Sequence, residues 1–188
     1  PYNCDNDNGD HIIHVGDIIG VYDPNEKNLT RYKSTPSVTS RSGFKIIDLL
    51  GKGTYGQVLK CENLSDGSIV AIKIIKAAEE CMIPSFMECK VLQRIQSILS
   101  NHKDNYKEEN KFMEFIEEFI YKGHLCIVSE LLGPSILELL QSSKFHGLNW
   151  DLIINFSSQM FVSLRELKLS SKIGRAHVEL QSRSDLVC

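Results

Sequence analysis

The stretch GSIVAIKIIKAAEE, Gly67–Glu80, decides how the rest of the chain is read, because it sets a lysine inside an apolar run. Six of the seven residues from Ile69 to Ile75 are hydrophobic: four isoleucines, one valine and one alanine. A run this short and this β-branched reads as a strand buried on both faces. Taking an ammonium out of water is costly unless an anion and hydrogen bonds compensate. Lys73 therefore needs a partner, and the flanking sequence has to supply it.

Upstream, FKIIDLL (44–50) reads as a strand, QVLKC (57–61) as a second, and ENLSDGS (62–68) as a turn around Asp66-Gly67 leading into the third. The intervals are too short for crossover helices, so the three strands should form an antiparallel meander. Downstream, SFMECKVLQRIQSILS (85–100) has helical periodicity, with Leu92, Ile95 and Leu99 on one stripe. A polar loop, NHKDNYKEEN (101–110), precedes two strand-like runs, around Phe112–Phe119 and in HLCIVSELL (124–132). SILELLQSS (135–143) and NWDLIINFSSQMFVSLRELKL (149–169) then read as helices. The second carries Ile153, Met160, Leu164 and Leu167 along one side, with Asn149 as N-cap. There is no internal repeat. Strands, one helix, strands, then helices predict an α+β fold.

Composition sets the limits. A chain of 188 residues builds one good core or one and a half small ones. Hydrophobic content of 42% and charged content of 24% are ordinary for a globular protein, and a net charge of −3 gives no reason to expect nucleic acid or an anionic membrane. The apolar runs fall far short of the roughly 20 residues of a membrane span. No basic segment followed by an apolar core opens the sequence, so nothing suggests secretion. Six cysteines, at 4, 61, 81, 89, 126 and 188, show no close pair at metal or redox spacing. The expectation is reduced thiols in a cytoplasmic and/or nuclear protein.

The opening residues differ from the rest. PYNCDNDNGD (1–10) and NEKNLTRYKSTPSVTSRSG (25–43) read as loops or mobile segments, with one or two short strands in HIIHVGDIIGVYD (11–23) between them. His11 and His14, three apart, fall on opposite faces of a strand. They read as half-exposed strand histidines, and no metal ligand is assigned.

Gly51, Gly53 and Gly56 in GKGTYGQV match G-x-G-x-x-G, alone a weak signal. A hairpin turn needing positive φ is one reading. A dinucleotide fingerprint, and with it a nicotinamide-dependent oxidoreductase, requires passage from strand into helix, but QVLKC is β-prone and short. The third reading is a hairpin folded over phosphates, where missing side chains let backbone N–H groups approach the oxygens. Val58, two residues on, would pack against a base. The motif extended to G-x-G-x-x-G-x-V and followed by V-A-I-K is far more specific than either part.

Ile69, Ala71, Lys73 and Ile75 share one face of their strand. A small residue at 71 leaves room for a flat ring, and Lys73 can reach that ring's phosphates. Glu88, four before Leu92 and seven before Ile95, points with the apolar stripe and is the natural anion for Lys73. A structural ion pair, or a Glu88 in water, is the plainer alternative. The glycine hairpin just upstream favours phosphates.

LLGKGTYGQVLKC (49–61), VAIKIIK (70–76) and Glu88 resemble the small lobe of a eukaryotic protein kinase. The likeness is closest to the dual-specificity tyrosine-regulated kinase group, Yak-like branch. DNDNGDHIIHVGDIIGVYD (5–23), FIYKGHLCIVSELL (119–132) and SKFHGL (143–148) carry that finer resemblance, which runs over roughly residues 5–171, with 24–42 and 76–84 matching poorly. The resemblance implies a complete small lobe, an antiparallel sheet plus one helix, with only the first helices of the large lobe. It implies ATP and Mg2+ as cofactors, a protein substrate, and neither nucleic acid nor membrane as partner. Lys73 and Glu88 would be catalytic. Leu50, Val58, Ala71 and Leu132 would line the adenine pocket, Gly51, Gly53 and Gly56 would cover the phosphates, and backbone groups of Glu130 and Leu131 would hold the base. Ser129 stands where the group usually has a bulky phenylalanine, and Ser135 where relatives often have asparagine near the ribose.

The family's phosphoryl transfer also needs an Asp base and magnesium ligands in H-x-D-x-x-x-x-N and D-F-G motifs. Neither occurs in these residues; after VSLRELKLSSK (162–172) the sequence reads IGRAHVELQSRSDLVC (173–188). The expected organisation is an N-terminal extension (1–43), small lobe and hinge (44–132), start of the large lobe (133–171), and an artefactual tail (172–188). Two functions follow: a fragment of an ATP-dependent serine/threonine or dual-specificity kinase, or a non-catalytic nucleotide-binding or interaction module.

Overall fold

In a computed structural model of the chain, residues 5–20, 43–101 and 112–169 are described. They form strands β1 (Ile18–Ile19), β2 (Phe44–Gly53), β3 (Gly56–Asn63), β4 (Ile69–Ile75), β5 (Phe115–Tyr121) and β6 (His124–Glu130), and helices α1 (Glu79–Asn101), α2 (Ile136–Ser142) and α3 (Trp150–Leu169). The strands make one antiparallel sheet in the order β1-β2-β3-β4-β6-β5. The meander β2-β3-β4 matches the expectation. Helix α1 carries the chain from β4 to the far edge, so β5 forms outside and β6 returns beside β4. This is the expected α+β architecture, with β1 added at one edge of the sheet.

Hairpin chemistry explains the connections. At the β3–β4 turn, Asp66 Oδ1 accepts from the Ser68 amide and hydroxyl at 2.9 and 2.7 Å, and Gly67 takes the φ of +73° the turn requires. The β5–β6 loop is two residues, Lys122 and Gly123, both at positive φ, the geometry that suits twisted strands.

Each face of the sheet has its own core. On one, Phe44, Ile46, Leu59, Cys61, Val70, Ile72, Ile74, Phe119, Cys126 and Val128 pack with Ile19, and the Phe44 and Phe119 rings stack at 5.8 Å. On the other, Met82 and Cys89 of α1 pack with Ile75, Phe115, Leu125 and Ile127, joined by Phe86 and Leu92. Strand β4 corrects the expectation of burial on both faces. Val70, Ile72 and Ile74 are fully buried, but Ala71 and Lys73 on the opposite face are half-buried and Ile69 is exposed. α1 covers only part of that face.

Helix α1 begins at Glu79, six residues before the start read from Ser85. Pro84 looks like a first-turn proline, since it can donate no amide. Yet Cys81 and Met82 already donate to the Ala78 carbonyl, and Glu79 and Glu80 lie in the first turn, where the helix dipole favours acid. Leu99 lies in α1, its side chain outside the described residues.

Within the segment 5–20 the expected short strand appears as β1, and residues 5–10, read as a loop or mobile segment, form an ordered turn. Asn6 Oδ1 accepts from the Asn8 and Asp10 amides at 2.9 and 3.0 Å and builds a compact turn. The segment then lies against the first core: Ile19 and His11 are buried, and Gln57 donates to the His11 carbonyl at 2.6 Å. His11 is thus buried rather than half-exposed, while His14 is exposed. All of the poorly matching loop 24–42 and all of the tail 172–188 lie outside the described residues.

The chain divides into two compact units, Pro1–Leu92 with Glu114–Leu132, and Gln93–Met113 with Gly133–Cys188. The second holds α2 and α3. Asn149 caps α3 as expected, its Oδ1 accepting from the Asp151 amide at 3.1 Å. Met160 and Leu164 of the predicted apolar stripe are exposed, and Ile153 is half-buried.

Candidate functional site

The residues singled out in the sequence converge in the first unit because the sheet register aligns them. Gly51 pairs with Val58, Val58 with Lys73, and Lys73 with Ile127. A second row sets Lys60 opposite Ala71 and Ala71 opposite Ser129. Facing residues of neighbouring strands stand about 5 Å apart. Val58, Ala71 and Lys73 therefore form one patch on the half-open face, with small Ala71 and Ser129 side by side behind it.

From that face Lys73 Nζ reaches Glu88 on α1, donating to Oε2 at 2.8 Å and Oε1 at 3.0 Å. The side chains are 32% and 41% exposed. An ion pair so accessible contributes roughly 0–1 kcal/mol. Stability is therefore a poor explanation for its place in an isoleucine strand. The pair holds an ammonium at a fixed point of an open face.

The glycine hairpin divides by cause. A Cβ on Gly56 would lie 2.0 Å from the Ile74 carbonyl oxygen, so glycine there is demanded by the close passage of β3 over β4. A Cβ on Gly51 would meet nothing within 4 Å, and one on Gly53 only the Gly56 carbonyl at 4.0 Å. Nothing in the described protein requires those two. Leu50 is the extra residue of a bulge between the Leu49 and Gly51 pairings, and is exposed. Bulges re-aim side chains at the ends of sheets.

At the other end of the patch, the Glu130 amide donates to the Glu114 carbonyl at 3.0 Å, and the Glu130 carboxylate accepts from the Glu114 amide at 2.8 Å. Of its backbone groups only the carbonyl is a candidate for a base. Leu131 is half-buried and Leu132 exposed. Ser135, in the second unit, is the N-cap of α2. Its Oγ accepts from the Glu138 amide, and Glu138 returns a bond to the Ser135 amide. That backbone bond, followed by the one to the hydroxyl, holds the Glu138 carboxyl below its usual pKa.

Sequence reasoning missed a second polar system, where residues 5–20 meet the sheet. Asp10, 2% exposed, accepts from Lys52 of the glycine hairpin at 2.8 Å, with Lys76 at 3.9 Å. Desolvation raises the Asp10 pKa, but hydrogen bonds from Lys52 and Asn6 and the Lys76 charge outweigh it and hold the carboxyl below its ordinary value. Beside it, His124 donates from Nδ1 to the Ile75 carbonyl at 2.7 Å and turns Nε2 to Asp5 at 2.9 Å. Burial, then His124 and Lys122, lower the pKa of His11 against the pull of Asp5. One signal was available. His124 heads the apolar run HLCIV much as Lys73 sits in IVAIKII, and the same question applied to it. The four described cysteines are free thiols, and burial pushes Cys61 up to about 12. Among the described residues no helix is long and apolar enough to cross a membrane.

A curled antiparallel sheet, a glycine hairpin and a strand lysine bonded to a helix glutamate define the small lobe of a protein kinase. No protein-family model matches the chain. Among curated proteins it is 37% identical to the dual specificity protein kinase YAK1 of Saccharomyces cerevisiae, over 98% of this chain and 20% of that protein. It is 33% identical to the probable serine/threonine-protein kinase yakA of Dictyostelium discoideum, over 85% of this chain and 10% of that protein. It is 32% identical to the YAK1 homolog of Arabidopsis thaliana, over 81% of this chain and 15% of that protein. The chain belongs to the Yak-like branch of the dual-specificity tyrosine-regulated kinases. It spans a fifth or less of the length of these three relatives. The yeast alignment, at 184 residues, extends beyond residue 171 into the segment read as an artefactual tail.

Proposed function

We propose that the first unit grips the phosphates of ATP, and that the protein to which it belongs transfers the γ-phosphate to hydroxyls of protein substrates. The observation that carries this reading is the double contact of Lys73 with Glu88 on an open face of the sheet. Glu88 orients the ammonium, and the ammonium meets the phosphates as a point charge. Gly51 and Gly53, which nothing inside the chain requires, leave backbone amides accessible to phosphate oxygens. Leu50, Val58, Ala71 and Leu132 enclose the adenine, whose edge bonds the Glu130 carbonyl and the Leu131 backbone. Ser129 beside Ala71 leaves the rear of that pocket wider than a phenylalanine would.

When bound, ATP supplies the transferable phosphoryl group, with Mg2+ neutralising its charge. The residues of this chain fit the nucleotide but not the metal, since the sequence holds neither D-F-G nor H-x-D-x-x-x-x-N. The 188-residue chain therefore binds nucleotide without catalysing transfer, and its function when isolated is that of a non-catalytic nucleotide-binding module. Its place of action is the cytoplasm and/or nucleus. Titration of the purified chain with a fluorescent ATP analogue, alongside a phosphotransfer assay, tests the reading. Saturable binding displaced by ATP and lost in Lys73→Met, with no phosphotransfer, is expected. Phosphotransfer lost in Lys73→Met would overturn the non-catalytic assignment, and absence of binding would overturn the nucleotide site.

A further inference from the structure

Asp5, His11 and His124 come from three places in the sequence and present their ligand atoms within 4.8 Å of one another. All three side chains are nearly inaccessible, at 3%, 4% and 0% exposure. Segment 5–11 and the β5–β6 hairpin bring them together: Asp5 pairs with His11 in an isolated bridge, and His124 follows the Lys122-Gly123 turn. Two hydrogen-bonding patterns fit His124. In one the ring is doubly protonated and salts to Asp5. In the other it donates only from Nδ1, and Nε2 offers a lone pair.

His11 distinguishes them. Its Nδ1 is buried, 3.8 Å from Asp5 Oδ1, and makes no hydrogen bond. A bare imidazolium–carboxylate pair leaves that nitrogen unexplained, since buried polar atoms without partners are rare. A cation among the three groups satisfies it. A carbonyl acceptor on the far ring nitrogen, here the Ile75 carbonyl on His124, is the usual outer support of a metal-bound histidine. The spacing also agrees. Ligands about 2.1 Å from a tetrahedral ion stand roughly 3.4 Å apart, and the contacts to Asp5 Oδ1, 2.9 and 3.8 Å, straddle that value.

We propose that Asp5, His11 and His124 bind a divalent transition-metal ion of the zinc class, fastening the N-terminal segment to the β5–β6 hairpin. Two imidazoles and one carboxylate favour zinc-class ions over Mg2+, which prefers an all-oxygen shell. The site is separate from Lys73 and Glu88 and does not depend on the nucleotide reading.

The test uses the whole chain, stripped with chelator and then titrated with Zn2+ against a chromophoric competitor and with Co2+ as a spectroscopic probe. Expected are one equivalent bound, an intense Co2+ visible spectrum of low coordination number, no competition from Mg2+, and a melting temperature that rises with Zn2+ and falls again with chelator. Asp5→Asn and His11→Gln should each weaken binding by at least about tenfold. His14→Gln, on the exposed neighbour, should leave it unchanged. Because the Co2+ spectrum is read on the unmodified chain, the result stands even if a variant fails to fold. No stoichiometric binding, a spectrum like that of hydrated Co2+, or equal loss in His14→Gln would overturn the site and leave the imidazolium–carboxylate pair.

Discussion

Lys73 and His124 each interrupt an apolar strand, and the two interruptions are handled in opposite ways. His124 is fully buried, with both ring nitrogens occupied and Asp5 beside it. Lys73 is about a third exposed and held by one carboxylate on a face that α1 leaves half open. A buried polar group with complete bonding belongs to the architecture, and removing it leaves its partners unpaired. A half-open ion pair adds little to stability. Its cost is accepted for what the charge does to something outside the chain.

The contrast predicts where substitutions are felt. The largest effect on folding belongs to Gly56→Ala, whose Cβ would collide with the Ile74 carbonyl. It should cost about 3 kcal/mol in a denaturant titration. Gly51→Ala and Gly53→Ala should change stability by no more than about 1 kcal/mol while weakening nucleotide binding. Comparable destabilisation by all three would mean the hairpin glycines serve the fold alone. Next is His124→Leu, which strips a partner from both Asp5 and the Ile75 carbonyl and should cost about 2 kcal/mol. A neutral result would show the polar cluster is dispensable.

Smaller effects sharpen the picture of the open face. With Ser129 and Ala71 paired at its rear, the pocket should accept an adenine analogue bearing a bulky aromatic substituent. Ser129→Phe should reduce that affinity by about tenfold, roughly 1.4 kcal/mol, and leave ATP binding nearly unchanged. Equal affinities in both proteins would place the pocket elsewhere. The smallest effect concerns pH. Asp10 has a folded pKa below its ordinary value. Its contribution is therefore complete above the unfolded pKa of about 4 and is lost as pH falls through the folded value. Asp10→Asn should lower stability at neutral pH and flatten the decline below about pH 4. Parallel acid limbs would contradict the Lys52–Asp10 link.

Much of this was legible in the residues. The β-branched runs and Asp66-Gly67 gave the meander nearly residue by residue, because short strands and tight turns are local chemistry. Lys73 and Glu88 were legible because a charge in an apolar run demands a partner within reach. What escaped depends on distant contacts. Periodicity could not show that one face of β4 lacks a full cover. The apolar stripe read from Ser85 left out the first six residues of α1, although Glu79 and Glu80 marked the true start. The packing of 5–20 rests on Asn6 folding its own backbone and on bonds to Gln57, Lys52 and His124, 46, 42 and 119 positions away from His11, Asp10 and Asp5 respectively. A polar composition reads as a loop until those partners are known.

The central claim is that Glu88 serves Lys73 and Lys73 serves a ligand. ATP affinity and melting temperature of the wild-type chain, Lys73→Met, Glu88→Gln and the double variant test it most directly. Each single change should lower affinity by about tenfold or more, the double should be no weaker than Lys73→Met alone, and all four melting temperatures should agree within about 4 °C. Unaltered affinity with a clearly depressed melting temperature in the single variants would show instead a structural ion pair with no nucleotide to hold.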